Sequence, residues 1–386
     1  MSVIRWTENS SPRSAPWHSE NASPAPRRTL VADDRMKADD AYRLTCEGTA
    51  LLWRGDFHNA RQLLQAIGRR VDRRADRGTP GFGTSPSESF HLHRRGIRHR
   101  ARVLGRLLVL LDDDHTLALR RAPDVRQACL DAYGPSTGPT TVSLKELLGV
   151  MGARQWRAKG IDVPALGARI HPHYGVFAPV RGEYVDLVAH TALPSAIRHR
   201  PATGAAFDLG TGTGVLAALL ARRGIDRVVA TAINPRALAC AGENAHRLEL
   251  ADRIEVSGPG LFPEGRADLI VCNPPWLPAR PTSPVEQGVY DPDGAMLHTF
   301  LTGLSAHLRP GGEGWLILSD LAEHLGLRTR RQLLAAIDAS GLRIVGKADV
   351  KPRHPRSRDA TDPLHAARKA EVTSLWRLAV RASGSA

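Results

Sequence analysis

The pattern of apolar and polar positions divides the chain into three parts. Residues 1–35 are rich in Ser, Pro and Arg and show no apolar periodicity, which predicts a disordered tail. From Asp39 to about Arg77, and again from Phe90 to Leu111, apolar residues recur at helical spacing. We therefore expect a mainly helical, Arg-rich domain over residues 36–165, with a role in substrate recognition.

Beyond about Gly175, short β-rich runs alternate with helical runs. The strands predicted most directly are Ala205–Leu209, Arg227–Thr231 and Leu269–Cys272. Such alternation is typical of an α/β domain, in which helices cover both faces of a parallel sheet. The last two predicted strands, 343–350 and 372–380, are separated by a Pro/Arg-rich stretch, which predicts an antiparallel pair. Residues 166–386 should form a doubly wound, mostly parallel seven-stranded sheet with an antiparallel last strand.

A glycine-rich turn follows the first of these predicted strands. It reads Phe207-Asp208-Leu209-Gly210-Thr211-Gly212-Thr213-Gly214. The glycines allow a sharp turn and a close approach of a ligand to the main chain, and the helix that follows offers free N–H groups. Dinucleotide-binding proteins share such turns. The Asp208 carboxylate would repel a pyrophosphate, however, and suits the ammonium group or bound waters of an amino-acid-like ligand.

A second motif ends the predicted strand Leu269–Cys272 and reads Asn273-Pro274-Pro275-Trp276. The two prolines remove backbone donors and stiffen the loop. The Asn273 side-chain oxygen and the Pro274 carbonyl can then point at one spot, which suits an NH₂ group on an sp² carbon. Trp276 offers a flat face on which an amide or a base stacks. The motif therefore predicts a catalytic site for a planar nitrogen.

With these two motifs, residues from about 170 to 320 resemble class I methyltransferases of the small-methyltransferase-domain type, which use S-adenosylmethionine (SAM). The likeness is greatest to the release-factor glutamine methyltransferases. In the segment Val176–Val188, three residues resemble that family's Pro-Arg-x-x-Thr-Glu segment beside the active site, and we assign them to substrate binding: Pro179, Arg181 and Glu183. The resemblance implies SAM as cofactor and acceptor contacts by the Asn273–Trp276 motif. The candidate SAM-binding residues are Asp208, Gly210, Thr211, Gly212, Gly214, Asn234 and Leu261.

Two positions depart from the family's pattern. Ala232 stands where the family usually has an acidic residue on the SAM ribose, and Gly260 where it often has an Asp facing the adenine. Losing a charged hydrogen-bond pair costs about 1.5–3 kcal/mol. The sequence thus predicts either a weak SAM site, with Asn234 recovering part of the ribose contact, or a domain that has lost catalysis.

Charge leaves the methyl acceptor open. The formal net charge of +14 favours anionic partners such as RNA, DNA or the ribosome, although a GC-rich genome also produces an excess of Arg over Lys. The Asn273 motif and the Pro179–Glu183 segment favour a glutamine side chain of a protein of the translation apparatus. Two clusters of arginines in the N-terminal region, Arg69–Arg77 and Arg94–Arg106, favour a nucleobase in RNA or DNA. The sequence also leaves room for a small-molecule amine or amide as acceptor, and for a non-catalytic RNA-binding protein on a degenerate methyltransferase fold.

Composition also argues against several kinds of protein. No apolar run approaches the roughly 20 residues that a membrane span needs, and the N-terminal residues show no apolar h-region of the kind a secretory signal carries. We expect a cytoplasmic protein without membrane contact. The four cysteines show no C-x-x-C spacing, which predicts small buried residues and neither a metal site nor disulfides. His171 and His173 are expected to be loop residues.

Overall fold

The computed structural model describes residues 2–78, 83, 85–180, 182–199, 204–283, 285–353 and 359–381. The chain divides into two compact units. The first extends to Gln155 and the second begins at Trp156, apart from residues 85–87, which group with the second. The division falls about ten residues before the predicted boundary at 165/166.

The first unit contains two β-structures. Strands β1 (Val3–Glu8) and β2 (Ser11–Pro16) form an antiparallel hairpin. A four-stranded sheet follows, in the order β3 (Arg28–Ala32), β4 (Thr49–Trp53), β5 (Leu107–Leu111) and β6 (Thr140–Ser143). The first three of these strands are parallel and β6 is antiparallel. The helices are α1 (Ala38–Cys46), α2 (Phe57–Gly78), α3 (Pro86–Leu104), α4 (Arg126–Tyr133) and α5 (Leu144–Lys159), which crosses the division.

The prediction of a disordered tail over residues 1–35 is wrong. Ile4 and Trp6 alternate with exposed residues along β1 and are buried, in one cluster with Leu52 and Leu108 of the sheet. Two large apolar side chains at period two are enough to fix a strand when a sheet face receives them.

The expectation of a mainly helical domain over residues 36–165 missed a sheet, although helices make up more than half of these residues. All five residues of β4 are buried. Leu51 and Leu52 belong to this continuous apolar run, which is typical of a central parallel strand and resembles one face of a helix. The unit is therefore a mixed α/β unit.

The second unit opens with a short antiparallel pair, β7 (Ile161–Val163) and β8 (Ala168–Ile170), joined by a 3₁₀ turn at Pro164–Leu166. Its main sheet consists of β9 (Ala205–Leu209), β10 (Arg227–Thr231), β11 (Ile254–Ser257), β12 (Ala267–Cys272), β13 (Leu308–Ser319), β14 (Leu342–Val350) and β15 (Thr373–Val380). The helices are α6 (Glu183–His190), α7 (Ser195–His199), α8 (Val215–Arg222), α9 (Pro235–Arg247), α10 (Ala295–His307), α11 (Leu321–His324), α12 (Arg330–Ala339) and α13 (His365–Ala370). Two further 3₁₀ turns lie at Val285–Gly288 and Pro292–Gly294.

The main sheet has the strand order β11-β10-β9-β12-β13-β15-β14. The five strands β9 to β13 are parallel to one another, and β15 is antiparallel to both of its neighbours. This confirms the predicted α/β fold with a mostly parallel seven-stranded sheet. One detail differs, since β15 is inserted between β13 and β14 and leaves β14 at the edge.

Apolar layers cover both faces of this sheet. Helix α8 is buried on nearly every side, and its side chains belong to one apolar layer together with Trp315 of β13. The other apolar layer contains Phe300 of α10 and Trp376 of β15. The strand order reverses between β9 and β12. In open α/β sheets the carboxyl ends of the strands at such a reversal form the crevice where ligands bind.

Replacing Ile4 by Ala tests the corrected fold of the amino terminus. Ile4 is fully buried, so the substitution leaves a cavity and should lower the free energy of unfolding of the first unit by about 2–4 kcal/mol. Urea denaturation followed by tryptophan fluorescence measures the change. The matched control is Val3→Ala, at a position 43% exposed, which should change stability by less than about 0.5 kcal/mol. If the two substitutions changed stability equally, Ile4 would not be packed in a folded strand, and the prediction of a disordered tail would stand.

Candidate active site

Three loops meet at the carboxyl ends of neighbouring strands. Leu209, the last residue of β9, pairs with Thr231 at the end of β10 on one side and with Cys272 at the end of β12 on the other. The loop that starts at Gly210 therefore lies between the loop after Thr231 and the loop that starts at Asn273. The register brings together the two motifs that lie about 60 residues apart in the sequence.

The glycine-rich loop needs its glycines. Gly210, Gly212 and Gly214 have φ values of 74°, 57° and 80°, in the left-handed region that side chains disfavour. At Gly214 a Cβ atom would lie only 3.1 Å from the Cα of Ala241, so this glycine also lets α9 approach the loop. The main-chain N–H of Thr211 donates to the carbonyl of Thr231 (2.8 Å), which fixes the loop to the end of β10.

Asp208 is the buried carboxylate under this loop. One of its oxygens, Oδ2, accepts hydrogen bonds from the Thr211 hydroxyl (2.6 Å) and from the Ala217 N–H (3.0 Å) in the first turn of α8. Burial raises the pKa of Asp208 to about 6, against the lowering effect of these two hydrogen bonds. Burial, reinforced by the charge of Asp208, also raises the pKa of Tyr184 of α6. Thr211 is therefore a brace for Asp208, and Tyr184 is a neighbour that the sequence did not reveal.

A buried asparagine, Asn244 of α9, ties the glycine-rich loop to the segment that precedes α6. Its amide nitrogen donates to the carbonyls of Thr213 (3.0 Å) and His171 (3.2 Å), and its oxygen accepts from the His171 N–H (2.9 Å). The His173 ring contacts Glu243 at 3.0 Å. Both histidines lie in a loop as predicted. Sequence reasoning missed Asn244, whose only signal is a polar residue on the buried face of a helix.

The structure describes two of the three predicted substrate-binding residues, Pro179 and Glu183, and gives them different surroundings. Pro179 is buried in the segment that follows Phe177, and the Phe177 carbonyl lies 3.8 Å from where a Cβ of Gly212 would be. Glu183 is buried and accepts a hydrogen bond from the main-chain N–H of Arg353, just after β14. Arg181 lies outside the described residues. Among these candidates, the segment of Pro179 borders the glycine-rich loop, while the Glu183 carboxylate has a structural partner elsewhere.

The Asn273–Trp276 motif contains an internal hydrogen bond. The Trp276 indole N–H donates to the Asn273 side-chain oxygen at 2.9 Å. Pro274 is buried, whereas Asn273, Pro275 and Trp276 are half-buried. Trp276 packs against both apolar layers of the domain, so the ring is fixed and its polar edge orients the Asn273 amide. An amide oxygen has more than one lone pair, so the Asn273 oxygen keeps the capacity for a second donor.

The chain after Trp276 folds back beside the motif. Leu277 pairs with Tyr290, and Asp291 is buried and accepts hydrogen bonds from the N–H groups of Met296 (3.0 Å) and Leu297 (3.1 Å) at the start of α10. The Met296 methyl lies 2.5 Å from where a Cβ of Gly210 would be. Met296 therefore borders the glycine-rich loop. Sequence reasoning missed both residues: Asp291 lies in an irregular segment without a pattern, and Met296 lies in the first turn of α10.

The two departures from the family pattern lie in neighbouring loops, Ala232 after β10 and Gly260 after β11, and the Gly260 N–H donates to the Ala232 carbonyl at 3.4 Å. Ala232 is buried, and Asn234 caps α9, with its side-chain oxygen accepting from the Arg236 N–H at 2.9 Å. The Leu261 carbonyl accepts from the Thr231 hydroxyl at 2.5 Å, which joins the loop after β11 to this edge. Between Ala232 and Asn234, Ile233 is 73% exposed. This exposed apolar side chain at a strand end was also missed in the sequence.

Neither a metal cluster nor a membrane span emerges from the part of the chain that the structure describes. There, no three His, Cys, Asp or Glu side chains are grouped as metal ligands, and no helix combines the length and apolarity needed to cross a bilayer. Cys129, Cys240 and Cys272 are buried as predicted, whereas Cys46 is exposed.

Comparison with known proteins gives the class of the second unit. Residues 167–329 match the family model of the methyltransferase small domain. A release factor glutamine methyltransferase from Cereibacter sphaeroides is 36% identical over 151 residues, which are 35% of this chain and 51% of the relative. A ribosomal protein L11 methyltransferase from Vibrio parahaemolyticus is 38% identical over 91 residues, 23% of this chain and 31% of the relative. The chain thus spans about half, or less, of the length of these curated relatives.

Among solved structures, a ribosomal protein L11 methylase from Lactobacillus delbrueckii subsp. bulgaricus is 18% identical with a TM-score of 0.35. The match covers 54% of this chain and 82% of that one. The fold assignment rests on the strand order and not on this low score. Residues 167–329 match the methyltransferase small domain, which bears out the resemblance predicted from the two motifs.

The raised pKa of Asp208 predicts how stability depends on pH. The carboxyl has a pKa of about 6 in the folded protein against an ordinary value of 3.8, so the folded state binds the extra proton between these values. Stability contributed by this group is present below about pH 4 and lost as pH rises to about 6. The loss amounts to about 3 kcal/mol. Asp208→Asn keeps the two accepted hydrogen bonds and should remove this contribution.

Urea denaturation of wild-type protein and of Asp208→Asn at pH 4.5 and 7 measures the difference. The variant should gain stability relative to wild type as pH rises. A constant difference between the two proteins over this range would contradict a carboxyl that titrates near pH 6.

Proposed function

We propose that the second unit is a SAM-dependent N-methyltransferase that transfers a methyl group to a planar NH₂. The acceptor we propose is the side-chain amide of a glutamine in a protein of the translation apparatus, which implies a cytoplasmic location. One observation carries the proposal. The glycine-rich loop and the Asn273-Pro274 motif lie at the carboxyl ends of the adjacent strands β9 and β12, paired at Leu209 and Cys272.

The glycine-rich loop supports the donor half of the proposal. The left-handed Gly210, Gly212 and Gly214 let a ligand reach the main chain, and buried Asp208 supplies negative charge below it. SAM carries an ammonium group and a sulfonium, which such a site favours. The exposed apolar side chain of Ile233 offers a surface for the adenine ring. Thr211 and Leu261 act through the loops that they fix to Thr231.

The ribose side of the proposed SAM site is less well equipped. Ala232 provides no carboxylate, and the oxygen of Asn234 is engaged in the cap of α9. A ribose contact by Asn234 therefore falls to its amide nitrogen and to the second lone pair of its oxygen. We expect SAM to bind more weakly than in relatives with an acidic residue at this position, by about one or two orders of magnitude for 1.5–3 kcal/mol.

The acceptor half rests on two oxygens. The Asn273 side-chain oxygen and the Pro274 carbonyl accept the two hydrogens of the NH₂ group and turn the nitrogen lone pair toward the methyl group. The nitrogen–methyl bond forms as the sulfur–methyl bond breaks, SAM leaves as the neutral thioether S-adenosylhomocysteine, and the nitrogen then loses a proton to water. Catalysis on this account is mainly positioning, so no strong base is required.

The choice of a protein glutamine rests on the relatives and on the motif. The matched relatives are described as methyltransferases of a release factor and of ribosomal protein L11. The net charge of +14 favours an exocyclic amine of a nucleobase as the second candidate.

Transfer of radiolabelled methyl from SAM into a cell lysate distinguishes the acceptors. We expect the radiolabel in macromolecules of the lysate to be removed by protease treatment and to be unaffected by nuclease treatment. Label that nuclease removes would assign a nucleobase, and label in the small-molecule fraction would assign a metabolite. If isothermal titration shows no binding of SAM at millimolar concentration and no methyl is transferred, the methyltransferase proposal is refuted and the protein is non-catalytic.

Replacing Asn273 by Ala should separate catalysis from SAM binding. The substitution removes one acceptor of the NH₂ group, so kcat should fall about 100-fold or more. The SAM dissociation constant, measured by titration calorimetry, should stay within about threefold because the glycine-rich loop is intact. Retention of full activity would refute the role of Asn273 in catalysis.

Replacing Trp276 by Phe tests the hydrogen bond that orients Asn273. The ring and its packing are kept and the N–H is lost, so kcat should fall about three- to tenfold while SAM affinity is unchanged. The matched control is Trp156→Phe, at an indole 52% exposed in the same unit, which should leave kcat unchanged. A kcat equal to that of wild type in Trp276→Phe would show that the indole N–H does not position the amide.

A further inference from the structure

Much of the positive charge of the chain is concentrated in one region. Residues 57–104 contain eleven arginines and three acidic residues, a net charge of +8 out of +14 for the whole chain. The remaining residues therefore carry only +6. A compositional bias toward arginine would spread along the chain and would not by itself concentrate the excess in two helices.

These two helices, α2 and α3, are joined by a salt bridge. Arg100 of α3 donates from Nε to Asp72 of α2 at 2.8 Å, and a Cβ at Gly68 would lie 3.1 Å from the Arg100 guanidinium. This pair uses one arginine and one acid to hold the helices together, and Arg70 is paired with Asp39. Of the exposed arginines of the two helices, we name five the basic face: Arg69, Arg73, Arg95, Arg98 and Arg102.

The basic face keeps its charge. Among the side chains that the structure describes, the ion pairs of these helices use Arg70 and Arg100 and none of these five guanidinium groups, although the charge of Arg73 helps to lower the pKa of Asp39. Arg73 and Arg98 donate instead to carbonyls of their own helices, at 3.3 and 3.5 Å, and Arg102 contacts the His99 ring at 3.2 Å. Like charges one turn apart on a helix repel each other. A polyanionic partner would offset this repulsion.

We propose that the basic face binds the phosphate backbone of a structured RNA. Guanidinium groups match phosphate oxygens in paired hydrogen bonds. The surface around the basic face lacks the apolar centre of a protein interface, since among the described side chains of α2 and α3 only Ile97 is large, apolar and exposed. Stacking on single-stranded bases requires aromatic rings. Phe57 and Phe90, the two Phe, Tyr or Trp residues of α2 and α3, are buried, which favours the backbone of a duplex.

The choice of RNA among polyanions rests on the proposed function in the translation apparatus, where acceptor proteins lie against RNA. Binding through this face needs no methyl donor. A failure of methyl transfer therefore does not affect the RNA-binding result. A failure of RNA binding likewise does not affect the methyl-transfer result.

Fluorescence anisotropy of the full chain with a labelled hairpin of about 20 RNA base pairs, without SAM, tests the proposal. The double variants Arg69→Glu/Arg73→Glu and Arg95→Glu/Arg102→Glu should each bind at least tenfold more weakly. The slope of log affinity against log salt should become less steep by about two, for two lost phosphate contacts. The neutral variant Arg69→Gln/Arg73→Gln, which keeps helix-forming residues, should show the same direction of change.

The matched control is Arg331→Glu/Arg343→Glu, the same change of charge at two exposed arginines of the second unit. It should leave RNA affinity within about twofold. An equal loss in this control would assign the binding to net charge and overturn the proposal. Tighter binding of a DNA hairpin of the same sequence, or of poly-glutamate, at the same salt would overturn the choice of RNA.

Discussion

The parallel register of β9 between β10 and β12 is the constraint on which the candidate site depends. Leu209 lies opposite Thr231 on one side and Cys272 on the other, so three strands end at the same level. Each loop that leaves them contributes a different part: an apolar edge, a glycine-rich turn and a pair of oxygen acceptors. A slip of two residues in either pairing would move one of the loops by about 7 Å and separate the two motifs.

This register explains why so much of the second unit could be predicted from sequence. Buried parallel strands are short apolar runs, and in this unit each run is followed by a residue that changes the direction of the chain, such as Gly210 or Asn273. The positions of Asp208 and the three glycines follow from the end of one strand. The position of Asn273 follows from the end of another.

What the sequence could not provide were contacts between distant segments. Asn244 links Thr213 to His171, and Glu183 accepts from the main chain at Arg353, 170 residues away. No local period marks such partners. The first unit was misjudged for a related reason. Leu51 and Leu52 were assigned to a helix because a fully buried strand has no alternation, and β1 was overlooked because its Ser- and Pro-rich surroundings obscured Ile4 and Trp6.

The hydrogen bond from the Trp276 indole to Asn273 has a consequence for the number of methyl groups in the proposed reaction. It turns the Asn273 oxygen toward the indole N–H, and in the proposed reaction this oxygen and the Pro274 carbonyl, which the prolines keep rigid, accept the two hydrogens of the NH₂ group. A primary amide satisfies both oxygens, whereas its N-methylated product has one N–H and leaves one oxygen without a donor. The Asn273 oxygen keeps the Trp276 N–H, so the cost falls on the carbonyl of buried Pro274, and an unsatisfied buried acceptor costs about 1–3 kcal/mol. The geometry therefore favours release of the product after a single transfer.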